Sequence, residues 1–438
     1  MLFALLAQLA GSAEAAAPEA ALYSSHAYHD VLLSCPERIW PGLSWREQQF
    51  LFSDSRADSA WLVGRGSRDP VAIPKDRFLR EFYSGGATFD IFRFQGRRTI
   101  AVNTEGLRKE EAFRLAVHEL FHETGQAGWG QRTIDDRGAL FPLLWEPRYL
   151  RRRAFDHFKS AFAAIQEKGN PLPALGAARY WLARWKKSFP EELPMETDSL
   201  EGTARYAELM AYLLTETGCG ANDESFARAF RALAPGEFRL DPGHSLETEG
   251  TLLGSLASFL LNERLENWFA RMDGFLMTSD LAVADIPPLA QPENQELIAA
   301  YRRDTEWRNE RIRQLLAPEL AKLENPAFVR VSVPASWQKG NLAHEASYVL
   351  RRQRDLTVLV LGRRHRFQGE QGEINLPGKT LALQTSHNEC GGMFYFFLPK
   401  SAVERHGHEF SAQFQGRSLR FHGDAKSILG YTWLCPRE

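Results

Sequence analysis

A surplus of either charge is missing from this sequence. Its 438 residues carry 53 Lys and Arg against 55 Asp and Glu, a net charge of −2, so there is no basic excess to displace counterions and a nucleic-acid partner is argued against. Long apolar runs are missing too. Beyond the N-terminus none reaches the roughly 20 residues of a membrane-spanning helix, which speaks against an integral membrane segment. Cysteine is scarce: Cys35, Cys219, Cys390 and Cys435 are the only four. None stands in a CxxC pair, which excludes a metal or redox site of that type. Repeats and low-complexity tracts are not found. What is present, 44% hydrophobic and 25% charged residues, is a globular composition long enough for two or three domains.

The N-terminus resembles an export signal with one part missing. Leu2 to Leu9 is a short apolar run, and Gly11-Ser12-Ala13-Glu14-Ala15-Ala16 holds the small-x-small pattern that a signal peptidase accepts. A basic stretch ahead of the run is lacking, and the apolar start of a cytosolic helix is the competing reading. On the export reading, residues 1–17 are a signal peptide and the protein works in the periplasm or outside the cell. An even cysteine count then permits two disulfides. Cys390 with Cys435 is the first pairing to expect, and Cys35 with Cys219 completes one of three connectivities.

The most informative segment is His118-Glu119-Leu120-Phe121-His122. In a helix, positions i and i+4 share a face, so both imidazoles can reach one tetrahedral cation, for which Zn²⁺ is the expected ion. Glu119 lies roughly 100° further round the helix, where it can take a proton from an attacking water without being a ligand. The flanks support a helix. Acidic residues lead in from Glu105 to Glu111, Phe113, Val117 and Leu120 follow at helical spacing, and Gly125 offers a stop. Two histidines on an ordinary amphipathic helix is the alternative. Upstream, residues 87–94 and 97–103 are rich in aromatic and β-branched types, and Gln95-Gly96 separates them as a hairpin turn.

With this hairpin and motif the chain resembles the zincin metallopeptidases, in which an edge strand beside the HExxH helix holds the substrate backbone by strand addition. Residues 97–103 are the candidate edge strand, with an interior strand as the alternative. A metzincin reads HExxHxxGxxH; here Gly125 matches, but Gly128 replaces the third histidine. The gluzincins complete the site with a Glu from a later helix, often in a pattern like EGxAxYxE. Glu201-Gly202-Thr203-Ala204-Arg205-Tyr206-Ala207-Glu208 resembles it position for position. The resemblance therefore implies a metal set of His118, His122 and Glu201, with Glu119 as the catalytic base.

Rivals for these roles are in the sequence. Thr197, Asp198 and Ser199 can each cap a helix, and Asp198 with Glu201 has roughly capping-box spacing, so Glu201 is also a candidate cap. Glu208, seven residues on, shares its face and could replace it or orient a ligating histidine. Glu249, in a second Glu-Gly-Thr, is a weaker rival. For stabilising a developing oxyanion the candidates are Tyr206, Tyr212 and His244. Glu123 reads as a helix-end or supporting contact.

The expected fold class is α+β: a zincin-like catalytic domain over 20–285, with a short mixed sheet and edge hairpin in a β-rich part (20–105) and a largely helical lobe (106–278). A Pro-rich linker and charged helix follow over 286–325, then a small all-β sandwich or barrel domain over 326–438. The spacing between His122 and Glu201, longer than in thermolysin-like members, implies an inserted helical pair. Its helices, 147–167 and 173–188, carry core aromatics, and Arg148, Arg151, Arg152 and Arg153 read as a solvated face. The expected function is zinc-dependent hydrolysis of a peptide or protein substrate. A catalytically inactive zincin scaffold that binds a partner and a hydrolase of a non-peptide amide are the alternatives.

Overall fold

The computed structural model describes residues 17–64, 66–84, 88–129, 139–192, 196–273, 276–337, 346–350, 356–361, 365–377, 380–385, 390–428 and 431–437. The expected signal peptide, residues 1–17, lies outside them except for its last residue. In chain order the first elements are α1 (Glu19–Ala27), β1 (Gln49–Ser53), β2 (Ser59–Gly64), β3 (Ser67–Pro74), α2 (Arg77–Ser84), β4 (Phe89–Phe94), β5 (Arg97–Asn103) and α3 (Lys109–Thr124). The strands form one five-stranded sheet of order β3-β2-β1-β5-β4. It is mixed, because β1 and β5 run parallel while the other neighbours are antiparallel. Gln95 and Gly96 both have positive φ, 51° and 79°, the geometry of the two-residue type I′ turns whose twist matches a hairpin.

The hairpin is at the sheet edge as expected, but the edge strand is the other one. Residues 97–103 are interior, hydrogen-bonded to β1 on one side and β4 on the other. The reason is composition: Ile100, Ala101 and Val102 are buried to within 1%, as a strand covered on both faces requires. β4 carries Asp90 and Arg93 and leaves Phe89 37% exposed, which suits an edge.

A helical lobe follows: β6 (Ala139–Phe141), α4 (Trp145–Gln166), α5 (Leu172–Ser188), α6 (Leu200–Thr217), α7 (Asp223–Glu237), α8 (Leu246–Arg264), α9 (Thr278–Leu281) and α10 (Gln295–Leu320). One core runs from α1 and a face of the sheet through α3 to α8 and includes Trp45, Trp181, Trp185 and Trp268. Helices α6 and α8 approach closely, since a Cβ on Gly202 would fall 2.6 Å from the Gly254 Cα. Helix α4 contacts α5, α8 and α10. That enclosure overturns the solvated reading of its arginines. Arg151 is 4% exposed and pairs with Asp198 and Glu249. Arg148 pairs with Glu192 and Glu249.

From Phe328 onward come β7 (Phe328–Val333), β8 (Ala346–Leu350), β9 (Leu356–Leu361), β10 (His365–Gly369), β11 (Gly372–Leu376), β12 (Thr380–Thr385), β13 (Phe394–Pro399), β14 (Val403–His406), β15 (Glu409–Phe414), β16 (Arg417–Ile428) and β17 (Tyr431–Pro436). They form a 12-stranded sheet that also takes in β6. Side chains from distant strands, such as Val331, Phe396, Ile374 and Phe421, share one core, so the sheet folds over on itself. Ile312 and Leu316 of α10 pack against Val358, Val360 and Leu381 on the opposite face. The fold is thus α+β. Disulfides join Cys35 to Cys219 and Cys390 to Cys435, with Cα–Cα separations of 6.0 and 5.3 Å, both ordinary for such bridges. Among the described residues no helix is long and apolar enough to cross a membrane.

Candidate metal centre

Helix α3 starts three residues after Gly106, at Lys109. Its first turn is closed by the Arg108 amide donating to Glu111 Oε2 at 2.9 Å, which satisfies one of the free N–H groups there. Phe113, Val117, Leu120 and Phe121 are buried, so the opposite face of α3 looks outward. That face carries His118 and His122. It meets α6, whose first turn supplies Glu201.

Three atoms converge there. His118 Nε2 lies 3.1 Å from His122 Nε2 and 3.1 Å from Glu201 Oε2, and His122 Nε2 lies 3.6 Å from the same oxygen. Zinc bonds of 2.0–2.1 Å in a tetrahedron set ligand atoms about 3.3 Å apart, so this triangle has the dimensions of one tetrahedral face. Among the described residues, His118, His122 and Glu201 are the one such group of possible ligands.

The hydrogen bonds behind the imidazoles fix which nitrogens face inward. Gln126 Nε2 donates to the Leu200 carbonyl at 2.8 Å and to Thr203 Oγ1 at 2.8 Å, and Thr203 Oγ1 donates onward to the Ser199 carbonyl at 2.6 Å. Since those carbonyls can only accept, the Gln126 amide is oriented and its Oε1 faces His122 Nδ1 at 2.7 Å. That oxygen also only accepts, so Nδ1 carries the proton and the neutral Nε2 presents a lone pair. His118 Nδ1 lies 3.0 Å from Glu208 Oε2, with Arg114 and Arg205 on the other Glu208 oxygen. A carboxylate so paired accepts, and His118 Nε2 also faces inward with a lone pair. Two lone pairs and a carboxylate oxygen at these distances repel unless a positive charge sits among them.

Without a metal that charge is a proton. Burial pulls the His118 imidazolium down, but the hydrogen bonds and charges of Glu201 and Glu208 outweigh it and push it up to about 10. Burial raises Glu201, yet the hydrogen bond from His118 and the two imidazoles beside it hold it well below the usual carboxylate range. Glu208 is likewise held low against burial by Arg205, His118 and Arg114. A raised imidazolium contributes stability that is complete below the unfolded value of about 6.5 and is lost as pH climbs through about 10. The lowered carboxylates contribute stability present above their unfolded values and lost as pH falls through the folded ones. The melting temperature of chelator-treated protein should therefore be highest near pH 5 to 6 and decline from about pH 7 to about 10. Added zinc should flatten the alkaline limb. Thermal scans across that range check this, and an unchanging metal-free profile would contradict it.

A cleft of about 590 Å³ opens at the trio, lined by Phe89 of β4, Leu115, Glu119 and His118, His122 and Glu201 themselves, with Arg114, Arg205, Glu208 and Glu237 among the others. Glu119 is in this wall, 8% exposed. The rivals of Glu201 lie elsewhere or play another part. Glu208 orients His118, one of its two expected roles. Glu249 is held by Arg148 and Arg151. The Glu201 carboxylate faces the imidazoles. Glu123 pairs with Arg98 of β5.

The oxyanion candidates are not placed at the cleft. Tyr206 is fully buried and donates to Asn262 Oδ1 at 3.2 Å; five residues after Glu201, it points roughly 140° away around the helix. His244 Nδ1 accepts from the Asp241 amide in the turn before α8, and Tyr212 packs under the Arg114 guanidinium. Neither lines the cleft. The sequence reading missed Gln126 and Arg114, although each stands four residues from a motif histidine, the spacing that puts side chains in reach on a helix. No family model, curated protein or solved structure matches the chain, so the resemblance to gluzincins stands on the motifs.

Proposed function

We propose that the chain is a zinc-dependent peptidase of the gluzincin type, with His118, His122 and Glu201 as metal ligands and Glu119 as general base. The observation that carries this reading is the inward convergence of two imidazole lone pairs and a carboxylate, each imidazole locked from behind by a fixed acceptor. A zinc ion held there supplies Lewis-acid activation of water and of a substrate carbonyl. Glu119, beside the trio but outside it, takes the proton from the attacking water and passes it to the leaving amine. Strand β4, last in the sheet order among the described residues and with Phe89 at the cleft, is placed to offer main-chain hydrogen bonds to an extended peptide.

The two disulfides suit an oxidising compartment, which supports export as part of the proposal. The second reading, an inactive scaffold, has to account for Glu119, an acid-base group in the cleft wall beside the trio for which a scaffold has no use. Protein purified without added metal should contain close to one zinc per chain and cleave an unstructured protein substrate. A chelator should take cleavage to background, and stoichiometric zinc should restore it. Zinc binding without any hydrolysis would favour the scaffold, and no zinc binding would remove both readings.

A further inference from the structure

Beneath the metal centre lies a buried ion cluster that the catalytic reading does not use. Arg151 NH2 donates to Asp198 Oδ1 at 2.5 Å and its Nε donates to Glu249, while its guanidinium lies 4.4 Å from the Trp185 ring centroid. Arg148 braces Glu249 at 2.7 Å and also reaches Glu192. Asp198 itself is fully buried. Its second oxygen accepts from Ser279 Oγ at 2.9 Å, and its carbonyl accepts from Thr278 Oγ1 at 3.0 Å. Helix α8 closes in from the other side, since a Cβ on Gly254 would fall 1.9 Å from that carbonyl oxygen.

Asp198 opens the turn that carries Glu201 and also supports His122. Glu201 is three residues on, in the first turn of α6. The next two carbonyls serve His122: Ser199 accepts from Thr203 Oγ1, and Leu200 accepts from Gln126 Nε2, the two groups that set the Gln126 amide against His122 Nδ1. Moving this turn therefore shifts the Glu201 carboxylate and the acceptor of His122 together.

A buried ion pair is a poor source of stability beside apolar side chains of equal volume, but apolar contact has no direction. A guanidinium fork fixes both position and orientation of its carboxylate. We propose that Arg151 is a positioning residue for the metal-binding side chains, acting through Asp198 and the turn 198–200. This inference rests on the metal-centre reading above.

The test uses the full-length chain and two variants, Arg151→Lys and Asp198→Asn. Lysine keeps the charge but cannot bridge Asp198 and Glu249 in the same geometry, and asparagine keeps the shape while weakening the pair. Zinc affinity is read by competition with a chromophoric chelator. The tautomer of His122 is read from ¹⁵N shifts of metal-free protein, and folding from circular dichroism. The expected result is a rise in the zinc Kd of about 10- to 100-fold, the usual size for supporting residues, and loss of the single Nδ1–H form of His122 in folded protein. A purely structural role would lower the melting temperature and leave both readouts alone. Unchanged Kd and tautomer in either folded variant overturns the proposal. If both variants fail to fold, Ser279→Ala, which removes one hydrogen bond from Asp198, reads the same path: a shifted His122 signal supports the proposal, and an unshifted one overturns it. Because the tautomer needs no metal, native protein that binds no zinc would end the zinc reading while the variants still report on the turn.

Discussion

Replacing Glu119 by Gln is expected to lower kcat for peptide hydrolysis by about 10²- to 10⁴-fold, the range for loss of a general base, with close to one zinc still bound. Glu119 follows His118 directly, so the helix turns it roughly 100° from the ligand direction, and it is outside the converging trio. Glutamine keeps its volume and its place in the cleft wall but cannot accept the proton of the attacking water. On the proposed mechanism the carboxylate acts on the reacting water and not on substrate binding, so KM should change little; a loss confined to kcat marks an interaction made in the transition state. Stopped assays on a fluorogenic peptide with parallel metal analysis check this. Activity within tenfold of native would mean that another group is the base.

How legible the site was depends on how local each part is. His118, Glu119 and His122 need only a helix, and the helix announces itself through Phe113, Val117 and Leu120. Glu201 needs a contact between segments far apart in the chain, which periodicity cannot supply; a motif pointed to it. Strand order is not written in alternation, so the hairpin was readable while the choice of β4 over β5 as the edge was not. The residues 100–102, apolar without a polar alternate, were the available sign that β5 is covered on both faces. Arg151 was hidden for the same reason as Glu201. Its partners, Asp198 and Glu249, come from other segments, and a basic helix stripe without known partners reads as solvated. Tyr206 could have been excluded by helix geometry alone.

Three glutamates compete for the third ligand position, and their alanine variants should fall in a definite order. Structural zinc sites with four ligands deliver about 10–16 kcal/mol, so one ligand's share is a few kcal/mol, and Glu201→Ala should weaken zinc binding by about 10²- to 10³-fold. Glu208→Ala leaves all three ligand atoms in place and removes the acceptor behind His118 Nδ1, a loss of about 10- to 100-fold. Glu249→Ala strips the shared partner from Arg148 and Arg151. Its cost should appear as lost folding stability of about 3–5 kcal/mol, the range for breaking a buried pair, more than as lost metal. Chelator competition and denaturant melts on the three variants separate these outcomes. If Glu249→Ala loses zinc most while Glu201→Ala keeps it, the ligand set is misassigned and the gluzincin reading fails with it, because that reading takes its third ligand from Glu201.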